Sequence, residues 1–251
     1  MTSTPQAAKK RLDVLLVERG LAESRQIAQA LILAGQVLVG GQKRDKAGTL
    51  VPPDAIIEIV GSKLRYASRA GMKLEGALED FHLRVADKLC LDVGSSTGGF
   101  TDCLLQHGAR RVYAVDVSVN QLAWKLQQDP RVVRVERNAR DLRPEDLGES
   151  VDLVTIDVSF ISVTKLLPAV VAAARPGAEF LILVKPQFEL ARKDIGRGGI
   201  VRDPRLHERA IEHVKAAAQA VLRVEDVRPS RLPGAEGNLE FFLHARLLRS
   251  S

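Results

Sequence analysis

The chain has 251 residues, 45% of them hydrophobic, with 37 lysines and arginines against 31 aspartates and glutamates, a net charge of +6 and an isoelectric point near 9.5. That length and apolar content suit one large or two modest globular domains, and the basic surface suits an anionic partner, nucleic acid first. Two cysteines, Cys90 and Cys103, make neither a disulfide scaffold nor a zinc site by themselves. In chain order, residues 1 to 9 read as loose. A helical pattern follows from Arg11, with Leu12, Leu15 and Leu16 on one face and Gly20 as its stop. Ser24 opens a second helix carrying Ile27, Ala28, Leu31 and Ile32 and ending at Gly35. Val37 to Val39 is a short strand before the Gly40-Gly41 turn, and Ala55 to Val60 alternates like another. Residues 1–64 thus read as a small α+β domain, and the polar run from Gly61 to Arg65 as the boundary with a second domain, 65–251.

The second domain alternates strands with helices. A helix is expected from Lys73 through Phe81, then a strand from Leu89 to Val93. A loop with three glycines, Gly94-Ser95-Ser96-Thr97-Gly98-Gly99, leads into a helix at about Phe100. The strand Arg111 to Asp116 ends in an acid. A helix over 122–128, a strand from Val132 to Val135, a polar loop holding Asn138, and a strand from Val151 to Asp157 follow. A helix from Ile161 to Ala174, a turn at Arg175-Pro176-Gly177, and a strand from Glu179 to Lys185 come next. A second glycine-rich segment, Ile195 to Ile200, precedes a helix from Pro204 to Val221. The last part reads as two strands, an antiparallel pair at the sheet edge. The fold class is α/β: a Rossmann-like, mostly parallel sheet with an antiparallel edge strand, plus the small N-terminal domain.

Strand, glycine loop, helix, strand and acid form the nucleotide-binding half of such a fold, with Asp116 placed for a ribose diol. The loop departs from the dinucleotide pattern because Asp92 stands before its first glycine. A carboxylate there opposes a pyrophosphate and tolerates a cationic ligand without phosphates, which favours S-adenosylmethionine over NAD. Asp92, Asp116, Asp157 and Lys185 all end apolar strands, where ligands of open sheets bind. Lys73 starts a helix near those ends, and Glu240, on a late strand between Leu239 and Phe241, calls for a cation if it points inward. Two lysines and two carboxylates suit removal of a proton from a weakly acidic hydroxyl. A lysine close to a second cation, or out of water, gives up its proton more readily, while carboxylates orient it.

Two resemblances extend this reading. Residues 11–60 resemble the RNA-binding domain first known in the small-subunit ribosomal protein S-four, through Arg11-Leu12-Asp13, Leu16, Gly20, Ser24-Arg25, Ala28, Ile32, Gly35, Val37, Val39 and Gly41. By that resemblance Arg25, Gln26, Lys43 and Arg44 face RNA phosphates; Arg65 and Arg69, past the end of that unit, are further candidates for RNA contact. Ser68 to Leu74, Leu91 to Thr101, Asp157 to Ser162, Val184 to Glu189 and Gly237 to Phe242 resemble the TlyA family, whose methyltransferase domain is similar to FtsJ. The resemblance implies a ribosomal RNA cytidine 2′-O-methyltransferase with S-adenosylmethionine as cofactor. Its catalytic tetrad would be Lys73, Asp157, Lys185 and Glu240. Its cofactor residues would be Asp92, Gly94, Ser95, Ser96, Thr97, Gly98, Gly99, Phe100, Asp116, Asn138, Asp157 and Phe160.

Family members often have glycine at Ala70, and some carry a tryptophan near Tyr66, so linker-coupled control of the cofactor is not implied here. The short tails resemble the shorter subgroup, which modifies only large-subunit RNA, while modification of the small subunit as well stays open. Ribosomal RNA or ribosomal subunits are the expected partner. The expected setting is cytoplasmic, with no metal and no membrane. The N-terminus lacks a signal-peptide pattern, and the longest apolar run, Leu166 to Ala174, is far short of the ~18 residues of a membrane span. Amino-group methylation would call for an Asn/Asp-Pro-Pro-aromatic loop where Asp157-Val158-Ser159-Phe160 stands, and carbon-five methylation for a cysteine near the substrate. The remaining alternatives are a membrane-active hemolysin, which needs an amphipathic element not found here, and an RNA-binding protein without catalysis.

Overall fold

The computed structural model describes residues 9–19, 21–22, 24–59, 65–234 and 237–248. The expected stop at Gly20, the loose first residues and most of the linker from Gly61 lie outside them. The chain divides into two compact units, Met1–Lys63 and Leu64–Ser251.

In the first unit β1 (Lys10–Arg11) leads into α1 (Leu12–Glu18), followed by α2 (Arg25–Leu33), β2 (Val37–Val39), β3 (Gln42–Arg44), β4 (Leu50–Val51) and β5 (Ile57–Ile59). Leu12, Leu15, Leu16, Ala28 and Ile32 come together because their spacing puts them on single helix faces, and they close over Val37 and Val51. Ser24 caps α2, its Oγ accepting from the Ile27 amide at 3.3 Å. Gly40 and Gly41 have φ of 57° and 75°, the left-handed pair that a two-residue hairpin needs. The hairpin strand β3 and the β1–β4 pair were not expected from sequence, since two or three residues carry too little periodicity to read. Asp13 is wholly buried and is held by Arg11 (3.0 Å), Arg25 (3.0 Å) and Gln29 (2.9 Å).

The second unit comprises α3 (Ala70–Asp80), β6 (Leu89–Val93), α4 (Gly99–Gln106), β7 (Arg111–Asp116), α5 (Trp124–Gln127), β8 (Val132–Glu136), β9 (Val151–Ile156), α6 (Leu167–Ala172), β10 (Ala174–Val184), α7 (Pro186–Glu189), α8 (Pro204–Gln219), β11 (Arg223–Pro229) and β12 (Phe241–Arg246). Seven strands form one sheet in the order β11-β12-β10-β9-β6-β7-β8, and β12 alone runs against its neighbours. The terminal strands are thus the expected antiparallel pair at an edge, with the reversed strand one place inside it. Both faces of the sheet are covered. Leu91, Val93, Ile156, Phe180 and Ile182 point into one core, and Cys90, Leu153, Leu181 and Phe242 into the other. That double burial explains the nearly unbroken apolar strands.

The structure corrects several boundaries. The helix expected over 122–128 shrinks to α5 behind a 3₁₀ turn at Val119–Gln121, and the one expected from Ile161 begins at Leu167 after another turn at Val163–Lys165. α3 starts at Ala70, which puts Lys73 inside its first turn. The expected turn at Arg175-Pro176-Gly177 is absorbed into β10 as a shift of register against β9 between Ala174 and Glu179.

Candidate active site

β6, β7, β9 and β10 end on the same side of the sheet, and three cavities open there. A cleft of about 450 Å³ is lined by Gly94, Ser96, Asp116, Asn138, Asp157 and Phe160. A smaller chamber of about 190 Å³ lies against Ser95, Ser96, Thr97, Gly99 and Phe100, and also touches Asp157 and Lys185. The largest, about 750 Å³, is lined by Lys73, Lys185, Glu240, Phe160, Gln187 and Arg192 among others. Ser159 borders all three.

The glycine loop is shaped from outside itself. A Cβ on Gly94 (φ 84°) would sit 2.3 Å from the Asp157 carbonyl oxygen, so the loop can pass β9 only as glycine. Asp116 orders the loop, its two oxygens accepting from the Ser96 amide at 2.9 Å and the Ser118 amide at 3.2 Å. Ser96 adopts φ 47° there. Asn138 caps the 3₁₀ turn at Ala139–Asp141, its Oδ1 accepting from the Arg140 amide at 3.1 Å.

Two residues expected to face the cofactor, Asp92 and Gly98, line none of the three cavities. Asp92 is wholly buried beneath the loop and accepts from Thr101 Oγ1 at 2.6 Å and Thr155 Oγ1 at 3.3 Å. It lines none of the three cavities, because β6 points it into the core. Burial pushes its carboxyl up to about 7, against the pull of those hydroxyls. Gly98 (φ 92°) instead packs toward Leu126 and Leu122, the first atoms that a Cβ would meet, at 2.2 and 2.9 Å. It serves the turn into α4.

Two ion pairs border the large cleft, one through both partners, Lys73 and Glu240, and one through Lys185, whose partner Asp157 lines the two smaller chambers. Lys73 Nζ is 2.6 Å from Glu240 Oε2, with side chains only 10% and 3% exposed. Lys185 Nζ lies 2.5 Å from Asp157 Oδ1 and donates to Ser159 Oγ at 3.1 Å. Asp157 and Lys185 meet because β9 and β10 are adjacent parallel strands. Glu240 stands one residue before β12 rather than within it. The flanking turns are braced together: Phe160, 92% exposed at φ 66°, lies 5.2 Å from Phe188 between ring centres. Glu189 accepts from Ser162 Oγ at 2.5 Å and the Val163 amide at 2.9 Å. Burial raises the Glu189 carboxyl above its ordinary value.

Sequence reasoning missed Ser159, Gln187, Phe188 and Arg192 as cleft residues. Ser159 and Arg192 sit in turns that carry no periodic signal and Gln187 and Phe188 in the four-residue α7, too short to show one, although the glycine-rich segment after them was a pointer. Cys90 and Cys103 are buried, as expected, and burial pushes both thiols up to about 12.

The expected RNA-facing residues divide. Gln26, Lys43 and Arg25 are exposed, Arg25 while bracing Asp13, whereas Arg44 is half-buried beside Gln42 (3.2 Å). In the second unit Arg65 pairs with Glu75 and lies over the Tyr66 ring, and Arg69 is exposed.

The chambers suit S-adenosylmethionine. The Ser95 hydroxyl is buried on the wall of the small chamber with no partner among the described residues, at the foot of α4, and so is free for a polar ligand group. Asp116, beside the middle cleft, keeps acceptor capacity for ribose hydroxyls. The cations on these walls are already paired, Arg137 with Asp146 at 2.6 Å and Lys185 with Asp157 at 2.5 Å, which leaves neither committed to a phosphate. The strand order, the loop and this pair of chambers define an S-adenosylmethionine-dependent methyltransferase.

Comparison with known proteins agrees. Residues 66–247 match the FtsJ-like methyltransferase family and residues 10–57 the S4 domain. The chain is 48% identical over 243 residues to the 16S/23S rRNA (cytidine-2′-O)-methyltransferase TlyA of Mycobacterium tuberculosis, spanning 96% of this chain and 91% of that one. It is 42% identical over 237 residues to hemolysin A of Brachyspira hyodysenteriae, spanning 93% and 98%. A solved structure described as a hemolysin from Streptococcus thermophilus superposes with a TM-score of 0.75 at 43% identity, covering 97% of this chain and 90% of that one. The chain belongs to the TlyA family of FtsJ-like methyltransferases.

Proposed function

We propose that this protein methylates the ribose 2′-oxygen of a cytidine in ribosomal RNA, in the cytoplasm, with Lys185 as the base. The observation that carries the reading is the pair of lysine–carboxylate contacts bordering one open cleft beside the cofactor chambers. The relative from Mycobacterium tuberculosis supplies the cytidine and the ribosomal RNA. S-adenosylmethionine supplies a methyl group on a sulfonium, open to attack by an oxygen nucleophile. Gly94, Ser95, Ser96, Thr97, Gly99, Phe100, Asp116, Asn138 and Phe160 are the residues proposed to hold it.

Lys185 is the better base of the two lysines. It leaves a rigid strand, with Val184 behind it and Pro186 ahead, and among the described residues Asp157 and Ser159 restrain its amine. Lys73 is committed to Glu240 in a more buried pair, and its role is to hold positive charge against the attacking hydroxyl. The unprotonated Lys185 amine accepts the 2′-hydroxyl proton while Asp157 steadies the ammonium that forms. Holding the hydroxyl in line with the methyl supplies much of the rate. The N-terminal unit anchors the RNA through Arg25, Gln26, Lys43 and Arg44, assisted by Arg65 and Arg69. Such phosphate contacts position without reading sequence.

The test is the pH–rate profile of Lys185→Ala and Lys185→Arg on ribosomal RNA, with cofactor affinity measured alongside. Both variants should bind cofactor normally and transfer no methyl, because a guanidinium does not give up its proton. Near-normal turnover by Lys185→Arg at neutral pH would exclude Lys185 as the base.

A further inference from the structure

The glycine-rich segment after α7 forms one wall of the large cleft through Ile195, Gly196, Gly198 and Gly199. Such a stretch does not keep a shape unaided, since glycine has the most conformational freedom to lose. Gly198 and Gly199 both sit at φ 75°, and a backbone hydrogen bond from the Gly199 amide to the Gly196 carbonyl, 3.1 Å, closes the turn. What fixes the segment to the sheet is Asn238, only 1% exposed. Its Oδ1 accepts from the Val201 amide at 2.9 Å, and its Nδ2 donates to the Gly199 carbonyl at 3.0 Å. Its own carbonyl accepts from the Gly234 amide at 2.9 Å. A primary amide buried this deeply has every reason to be hydrogen-bonded, and here both ends of it grip the same segment. Two residues further along the chain, Glu240 reaches into the same cleft and holds Lys73.

We infer that Asn238 is a positioning residue for the RNA substrate. It ties the Gly196–Gly199 wall to the Lys73–Glu240 pair, so that a ribonucleotide lying against the wall meets Lys185 in a fixed register. This rests on the proposed function for the identity of the substrate. The amide touches neither the cofactor chambers nor Lys185. Its loss should therefore separate RNA handling from cofactor binding.

The experiment compares wild type, Asn238→Ala, Asn238→Asp and Gly198→Ala, with ribosomal RNA as substrate and calorimetry for S-adenosylmethionine. Asn238→Ala should raise KM for RNA and lower kcat, a combined loss on the order of 10²-fold, with cofactor affinity unchanged. Asn238→Asp keeps the acceptor for Val201 but sets a buried carboxylate oxygen against the Gly199 carbonyl, so its loss should be at least as large as that of Asn238→Ala. A Cβ at Gly198 meets nothing within 4 Å, so Gly198→Ala strains only the backbone and should reproduce the defect from the other side. Trypsin should cut Asn238→Ala faster than wild type at Arg192, Lys193 or Arg202, whatever the substrate. Normal kinetics in Asn238→Ala, or an activity loss that merely follows cofactor affinity or melting temperature, overturns the inference. If wild type transfers no methyl to ribosomal RNA the proposed function falls, and equal tryptic cutting of wild type and Asn238→Ala then overturns the inference as well.

Discussion

Replacing Glu240 with glutamine removes one charge from a pair that water barely reaches. The Lys73 ammonium and the Glu240 carboxylate meet at 2.6 Å with side chains 10% and 3% exposed. Breaking a buried pair by neutralising one partner typically costs about 3–5 kcal/mol, because the surviving charge has lost both water and its counter-ion. The two halves should not cost the same. Both line the cleft, but Lys73 is the more exposed partner, 10% against 3%, and recovers more hydration there than Glu240 does. Glu240→Gln should therefore fall near the lower figure and Lys73→Met near the upper. For a unit of this size, running from Leu64 to Ser251, about 2–4 °C is lost per kcal/mol, so the melting temperature should fall by roughly 6–20 °C. The double variant leaves no orphan charge, and should be more stable than the sum of the singles predicts by about 1–3 kcal/mol. Urea titrations followed by circular dichroism, with calorimetry to separate the two units, measure the cycle. Methyl transfer should be lost in all three. Singles within about 0.5 kcal/mol of wild type, with no coupling, would mean that the pair is solvated, and its role as a fixed cationic post would fall with it.

Other expectations follow from the same geometry. Gly94→Val drives a side chain into the Asp157 carbonyl, 2.3 Å from the new Cβ, and should abolish S-adenosylmethionine binding in calorimetry. Asp116→Ala should do so too, by releasing the Ser96 amide and removing the proposed ribose acceptor. Asp92 carries a pH dependence. Its folded value of about 7 lies above the ordinary 3.8, so between those values the folded state holds a proton that the unfolded state has shed. Stability should then fall as pH rises through that window, by up to about 1.4 kcal/mol per unit, and Asp92→Asn should flatten the slope in denaturation series. Arg25→Glu with Lys43→Glu should weaken RNA binding and lower its salt dependence, since fewer counterions are released. Because Arg25 also holds buried Asp13, this variant should melt earlier than Lys43→Glu alone, and equal melting would remove Arg25 from the bracing role.

The sequence by itself determined the architecture of the second unit. Its strands are buried on both faces and therefore apolar throughout, and ligands of such sheets gather where strands end. The apolar runs alone therefore mark Asp116, Asp157 and Lys185 as residues of the ligand-binding edge. Sequence determined less where elements are short. β3 and the β1–β4 pair escaped notice, and α5 and α6 came out shorter than their apolar runs suggest, because 3₁₀ turns share that composition. Tertiary structure alone decided which polar groups face a cavity. Asp92 and Asp116 look alike as acids on consecutive strands, yet a strand turns successive side chains to opposite faces. Asp92 falls inside its strand, over the core, while Asp116 sits at the very end of its own, beside the cleft. The partnering of Lys73 with Glu240 spans 167 positions and depends on α3 and the start of β12 being brought together, which no local pattern encodes. The same holds for Asn238: its neighbours in sequence mark it only as the approach to a strand, and its hold on Gly199 and Val201 exists only once the chain has folded back on itself.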